Sequence, residues 1–232
     1  MTSRMAQPFR NLIARIKGRP RKVEPSHEHI IKVELRTLLE RDCYNEAIFR
    51  LETSPAHMGQ LLELLRERDV ELPGVATLSQ LAKRGADISP ALNALSLRLL
   101  CDELNISSYA SRALAHYYMS RANLEEIDLL ISGGVGPVQY GCAEALREAM
   151  LAHNVIAIDY ALKQLFSDSE SVLEHVMWAL RGSAERGSND VRKSILELSA
   201  HHMRRIKESD NAPLGVYRNL FQIHELASPK ED

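Results

Sequence analysis

Residues 130–147, LISGGVGPVQYGCAEALR, decide how this chain is read. A helix end at Leu130-Ile131-Ser132 meets a turn rich in glycine (Gly133, Gly134, Gly136-Pro137), and a second helix follows from Val138 to Arg147. The layout then returns. Gln164-Leu165-Phe166, Val172 and Ala179-Leu180-Arg181 repeat Leu130-Ile131-Ser132, Val138 and Ala145-Leu146-Arg147 at a constant offset of 34, with Asp168-Ser169 in place of the glycines. Asp190-Val191-Arg192-Lys193-Ser194-Ile195 opens a third helix in a similar way. A period of that length built from helix pairs signals an α-solenoid, in which each pair buries its apolar face only by stacking on its neighbours.

On either side of this stretch, the apolar spacing from Ser26 onward is helical nearly throughout. It predicts helices near 27–41, 44–53, 56–69, 75–84, 90–104, 107–122, 124–132, 137–152, 155–166, 171–186, 190–208 and 214–226. Pro55, Pro73-Gly74, Gly85, Pro90, Asn105, Gly133-Gly134, Gly136-Pro137, Gly182, Gly187 and Pro213 supply the expected breaks. Ser26, Ser54, Ser89 and Asn189-Asp190 stand where helices start and can cap them. Composition agrees: aromatics are only 5% of the chain, too few for an all-β sandwich or barrel. No run approaches the roughly 18 uninterrupted apolar residues of a membrane-spanning helix.

Over residues 124–209 these stretches resemble HEAT or armadillo repeats, where a helix closing in Leu-Leu is followed by an acidic turn, Val-Arg and Ala-x-x-Ala-Leu. Asp190-Val191-Arg192 fits the turn best, whereas Gln139 and Leu173 stand where the other two copies would carry the arginine. Residues 26–122 can be cast as further helix pairs, for example Leu81, Ser89-Pro90 and Ser96-Leu97-Arg98, with a looser match. The expected fold is therefore all-α: a HEAT/ARM-like α-solenoid or irregular helical superhelix over 25–227, behind a basic arm (1–24) and before a short tail (228–232). An irregular helical bundle is the alternative.

The arm carries Arg4, Arg10, Arg15, Lys17, Arg19, Arg21 and Lys22 before the first acid, Glu24, and so is +7; the rest holds 22 basic and 31 acidic residues, a net of −9. Such asymmetry points the arm at an anionic surface, or back onto its own acidic body. Phe9, Leu12, Ile13 and Ile16 fall at i, i+3, i+4 and i+7, one apolar stripe of a helix of about nine residues, short enough to need a cover for that stripe. A lipid interface, a partner's groove or the body itself would serve. A mitochondrial presequence is a minor option, because the segment is poor in serine and ends in a Gly-Pro break. Cys43, Cys101 and Cys142 are sparse and unpaired by spacing, which fits a reducing, cytoplasmic setting.

Chemistry-bearing motifs are scarce. Residues 127–159 imitate a dinucleotide-binding βαβ unit, but the turn reads G-G-V-G-P-V-Q-Y-G rather than G-x-G-x-x-G, Pro137 removes a donor, and no neighbouring strands exist to form a sheet. His27-Glu28-His29 and His201-His202 diverge on a helix, and no H-E-x-x-H occurs, so no metal site or cofactor is expected. No G-x-S-x-G or local cysteine signature marks a nucleophile, and no catalytic residue is assigned. One class of alkylation-repair DNA glycosylases resembles HEAT repeats, yet such an enzyme needs a basic concave face, and this body is acidic. Trp178, the single tryptophan, is expected to pack in the core.

What remains is a surface. Arg147 and Arg181 hold equivalent places in the two copies, with Arg98 a candidate third; such a row lines a binding face or complements helix dipoles. Tyr117-Tyr118 is an aromatic spot of which one member must be partly exposed, a residue type favoured at interfaces. The expected function is a non-enzymatic adaptor or scaffold whose helical body binds another protein. Phe9, Leu12, Ile13 and Ile16 with Arg10, Arg15, Lys17, Arg19, Arg21 and Lys22 would anchor it, peripherally, to the inner face of an anionic membrane or to a partner groove. Nucleic-acid association through the same arm is the alternative, followed by an enzyme with an unreadable site.

Overall fold

A computed structural model describes residues 27–41, 43–208 and 214–229. Among them stand twelve α-helices, one 3-10 turn and no strand. In chain order they are α1 (His27–Glu40), α2 (Tyr44–Thr53), α3 (Pro55–Leu64), α4 (Arg68–Lys83), the 3-10 turn Ser89–Ala91, α5 (Leu92–Arg98), α6 (Leu104–Ser120), α7 (Leu124–Gly133), α8 (Gly136–Leu151), α9 (Val155–Gln164), α10 (Glu170–Arg186), α11 (Asn189–Lys207) and α12 (Leu214–Ala227).

From α4 onward the helices stack in two layers. A front layer runs α4–α6–α8–α10–α12, each helix packed on the next, and α5, α7, α9 and α11 lie behind it. One continuous apolar core joins the layers from Leu35 to Ala227. Each helix contributes a stripe to it, as Val138, Cys142, Ala145 and Leu146 do from α8, and Val172, Val176, Ala179 and Leu180 from α10. The fold is thus an all-α, solenoid-like stack, and the two sequence copies become the pairs α7–α8 and α9–α10.

The regularity reaches further toward the N-terminus than the sequence match does. α4, α6 and α8 end in the same way. The N–H groups of Gly85, Ala122 and His153 donate to the carbonyls of Ala82, Met119 and Met150 at 2.9, 3.1 and 2.9 Å. The next N–H groups, of Ala86, Asn123 and Asn154, reach back to Leu81, Tyr118 and Ala149 at 3.1, 3.0 and 2.9 Å. All three turn residues are left-handed, with φ of +81°, +53° and +60°. This Schellman-type closure satisfies the last carbonyls and turns the chain into the back layer at each step.

Three expected breaks differ. Pro73-Gly74 lies inside α4, where the proline forgoes one backbone bond and the Thr77 hydroxyl donates to the Pro73 carbonyl at 2.8 Å. The helix expected over 90–104 divides into the 3-10 turn, α5 and a connection at 99–103, so that the next helix starts at Leu104. Gly182 sits within α10 for a packing reason given below. No helix of the described residues is long and apolar enough to cross a membrane.

Candidate protein-binding groove

Close approach of α6 and α8 sets the geometry of the front face. A Cβ on Gly141 would lie 2.1 Å from the Ser108 carbonyl oxygen, so α8 meets α6 backbone to backbone there. The buried Ser111 hydroxyl donates to the Val138 carbonyl at 2.6 Å beside it. Larger side chains on the same helices project around this contact and meet one another across the layer.

They form a continuous charged row. Arg112 of α6 holds Glu148 through Nη2 (2.6 Å) and Nε (3.2 Å) and Glu144 through Nη1 (3.0 Å). His116 Nε2 lies 2.8 Å from Glu148, and Lys83 of α4 donates to it at 2.7 Å. Burial alone would push the Glu148 carboxyl up, but the bonds from His116, Arg112 and Lys83 hold it well below the ordinary carboxylate range. Glu144 passes the row on, accepting from the Tyr140 hydroxyl at 3.3 Å and lying 3.7 Å from Arg147.

At Arg147 the row becomes a groove. The guanidinium lies over the Trp178 ring at 4.3 Å, and Tyr140 packs against the same indole with centroids 5.5 Å apart. Gly182 makes this possible: a Cβ there would press on Arg147 Cδ at 3.1 Å. The result is an open groove of about 660 Å³ along α10, reached by Arg147 from α8 and Asn219 from α12. Leu173, Met177 and Trp178 form its apolar part; Glu170, Glu174, Arg181, Glu185 and Arg186 form its polar part. Arg181 donates to Gln222 at 3.2 Å, and a second open surface of about 460 Å³ continues past it along Phe221, Glu225 and Leu226 of α12. Trp178 is 36% and Phe221 48% exposed, so the groove presents aromatic surface to solvent.

No protein-family model and no curated protein matches the chain. Among solved structures it is similar, at 19% identity and a TM-score of 0.42, to a designed armadillo repeat protein in complex with the peptide (KR)4, over 89% of this chain and 96% of that one. A computationally designed armadillo repeat protein for modular peptide recognition aligns at 18% identity and TM-score 0.42, over 88% and 95% of the two chains. An engineered protein aligns at 17% and 0.41, over 88% and 93%.

The residues singled out from sequence fall in different places. Arg147 and Arg181 share the groove. Arg98 does not join them: it lies on α5, bonded to the Ala94 and Leu65 carbonyls and 2.9 Å from Glu71. Arg112 is instead the arginine that extends the row, and no repeat offset points to it. Tyr117 is buried under the Arg121 guanidinium (3.7 Å), and Tyr118 is half-buried with its ring edge-on to Tyr117 at 5.5 Å, away from the groove residues. Phe9, Arg10, Leu12, Ile13, Arg15, Ile16, Lys17, Arg19, Arg21 and Lys22 lie outside the described residues.

Trp178 was expected in the core and lies on the groove instead, because its position on α10 turns it outward while Val176, Ala179 and Leu180 turn in. Among the described residues no cluster of three or more His, Cys, Asp and Glu could hold a metal ion. Among the described residues the hydroxyl–imidazole pairs Ser199–His224 and Ser194–His153, each at 2.9 Å, bring no carboxylate with them, and His202 pairs with Asp159 at 3.0 Å without a serine. None of these assembles a nucleophile, base and orienting acid.

Proposed function

We propose that this chain is a non-enzymatic adaptor whose helical body binds a segment of another protein in the α8–α10–α12 groove. The observation that carries the reading is the Arg147–Trp178–Tyr140 platform: an exposed aromatic floor, held in place by side chains of two helices, in a groove long enough for several residues. Trp, Tyr and Arg are the residue types that dominate protein-binding energetics when they sit centrally in a recessed surface. The apolar stretch Leu173, Met177 and Trp178 would take apolar side chains of the partner, and the flanking carboxylates and guanidinium groups would set register. The arm, in the same proposal, anchors the adaptor peripherally to an anionic membrane.

A random peptide library displayed on phage and selected against the full-length chain tests the groove. Peptides so selected should lose about 2 kcal/mol or more of binding to Trp178→Ala and keep binding to Lys193→Glu, a change on the exposed face of α11. Isothermal titration with a selected synthetic peptide reads both. Equal binding to wild type and Trp178→Ala would end the groove assignment.

A further inference from the structure

The groove holds three carboxylates that the fold does not use. Glu170, Glu174 and Glu185 are exposed along α10, and none makes an ion pair among the described residues. Glu144 and Glu148 on the neighbouring α8, in contrast, are fully engaged by Arg112, Lys83, His116 and Arg147. Apolar surface lies beside the free carboxylates, from Leu173, Met177 and Trp178 to Tyr140 and Phe221 on the rim. Arg147 over the Trp178 ring and Arg181 and Arg186 at one end repel cations, so a cationic ligand belongs at the other end, toward Glu170 and Glu174. The complementary occupant is a short apolar stripe flanked by cations.

One segment of this chain has that chemistry. Phe9, Leu12, Ile13 and Ile16 form a stripe at helical spacing, with Arg10, Arg15 and Lys17 around it, in an arm of +7 facing a body of −9. The reach is sufficient. Nine residues, 18–26, join the stripe to α1 and span up to about 30 Å when extended. Helix neighbours are spaced about 8–10 Å, and α1 connects to α10 through α4, α6 and α8, each packed on the next, so α10 lies about four spacings, ~32–40 Å, away. The linker covers that span together with the roughly 13 Å length of a nine-residue arm helix.

We infer that the arm docks in cis in the α8–α10–α12 groove, with its apolar stripe on Trp178 and its cations on Glu170 and Glu174. The inference rests on the reading of that groove as the partner site and adds a regulation to it. Arm and partner compete for one surface, and whatever else takes the apolar stripe, a lipid surface included, opens the groove. A tethered segment meets its site at an effective concentration of about 1 mM, so an intrinsic Kd of about 100 μM closes about nine grooves in ten.

Trp178 is the only tryptophan and lies on the site, so its quenching by acrylamide reports occupancy with no partner present. Wild type should be protected, and the quenching constant should rise about twofold in Phe9→Glu/Ile13→Glu and in Glu174→Lys, matching a largely closed groove that opens. Far-ultraviolet circular dichroism confirms that the variants keep the helical body. The same quenching constant in all three proteins overturns the inference, and so does protection that grows with protein concentration, which would come from the arm of a second copy. Failure of Trp178→Ala to weaken a selected peptide would fall on the partner reading instead, and the quenching result stands apart from it. If both hold, the selected peptide binds Phe9→Glu/Ile13→Glu about tenfold more tightly than wild type.

Discussion

Glu148 shows what a single residue can contribute to a helical stack. Its carboxylate accepts from α4 and α6 at once, so one side chain of α8 ties three front-layer helices together. Because these bonds hold its folded pKa below the ordinary value, the folded state binds fewer protons there than the unfolded chain. The stabilisation is fully present above the unfolded carboxyl's pKa of about 4.3 and is lost as pH falls below it. Glu148→Gln should therefore destabilise the chain by about 2–3 kcal/mol near neutral pH, since Arg112 and Lys83 lose their anionic partner and one of its two acceptor oxygens becomes an amide donor. The deficit should shrink as pH falls below about 4. Urea denaturation followed by circular dichroism from pH 7 to pH 3 measures both. The acid was legible in the sequence; its role was not, because Lys83, Arg112 and His116 come within reach only across separate helices.

Helix ends and helix contacts carry the next level. The left-handed residues closing α4, α6 and α8 are Gly85, Ala122 and His153, one geometry on three residue types. Only the glycine announces that geometry in sequence; the helix bounds led us to expect all three turns, but not the left-handed closure at Ala122 and His153. Ala122→Gly should relieve the strained φ of +53° and raise stability by about 0.5–1 kcal/mol. The opposite outcome is expected at the α6–α8 contact. Gly141→Ala improves helix propensity by up to about 1 kcal/mol, yet its Cβ would sit 2.1 Å from the Ser108 carbonyl oxygen. The helices must move apart, and a net loss of about 2 kcal/mol or more follows, as in overpacked cores. Paired thermal and urea melts of the two variants decide both signs.

At the scale of the molecule, charge is divided between a basic arm and an acidic body. An anchor of that kind needs its apolar stripe as well as its cations, each Lys or Arg near an anionic leaflet adding about 1 kcal/mol. Full-length protein should co-sediment with phosphatidylserine-containing vesicles at low salt, less at physiological salt, and not at all as Phe9→Glu. A phosphate-directed arm would lose only part of its binding through that substitution, because counterion release depends on charge alone. Loss of lipid binding with retained duplex DNA binding would thus move the arm from membrane to nucleic acid.

Apolar spacing, caps and breakers already mark the chain as helical, show where most helices begin and end, and show that a helix pair recurs after residue 124. These are local properties, acting within a few turns of chain. The sequence also brought Arg147 and Arg181 forward as equivalent positions, since a repeat offset is a property of one dimension. Which faces those helices present follows from packing across the stack. Trp178 turned outward because α10 spends its other side on the core, and Arg147 lies across it because Gly182 leaves room. Arg112, rather than Arg98, extends the row because stacking placed α5 behind and α6 in front. A groove is made by three helices together, and no single helix carries its outline in its own spacing.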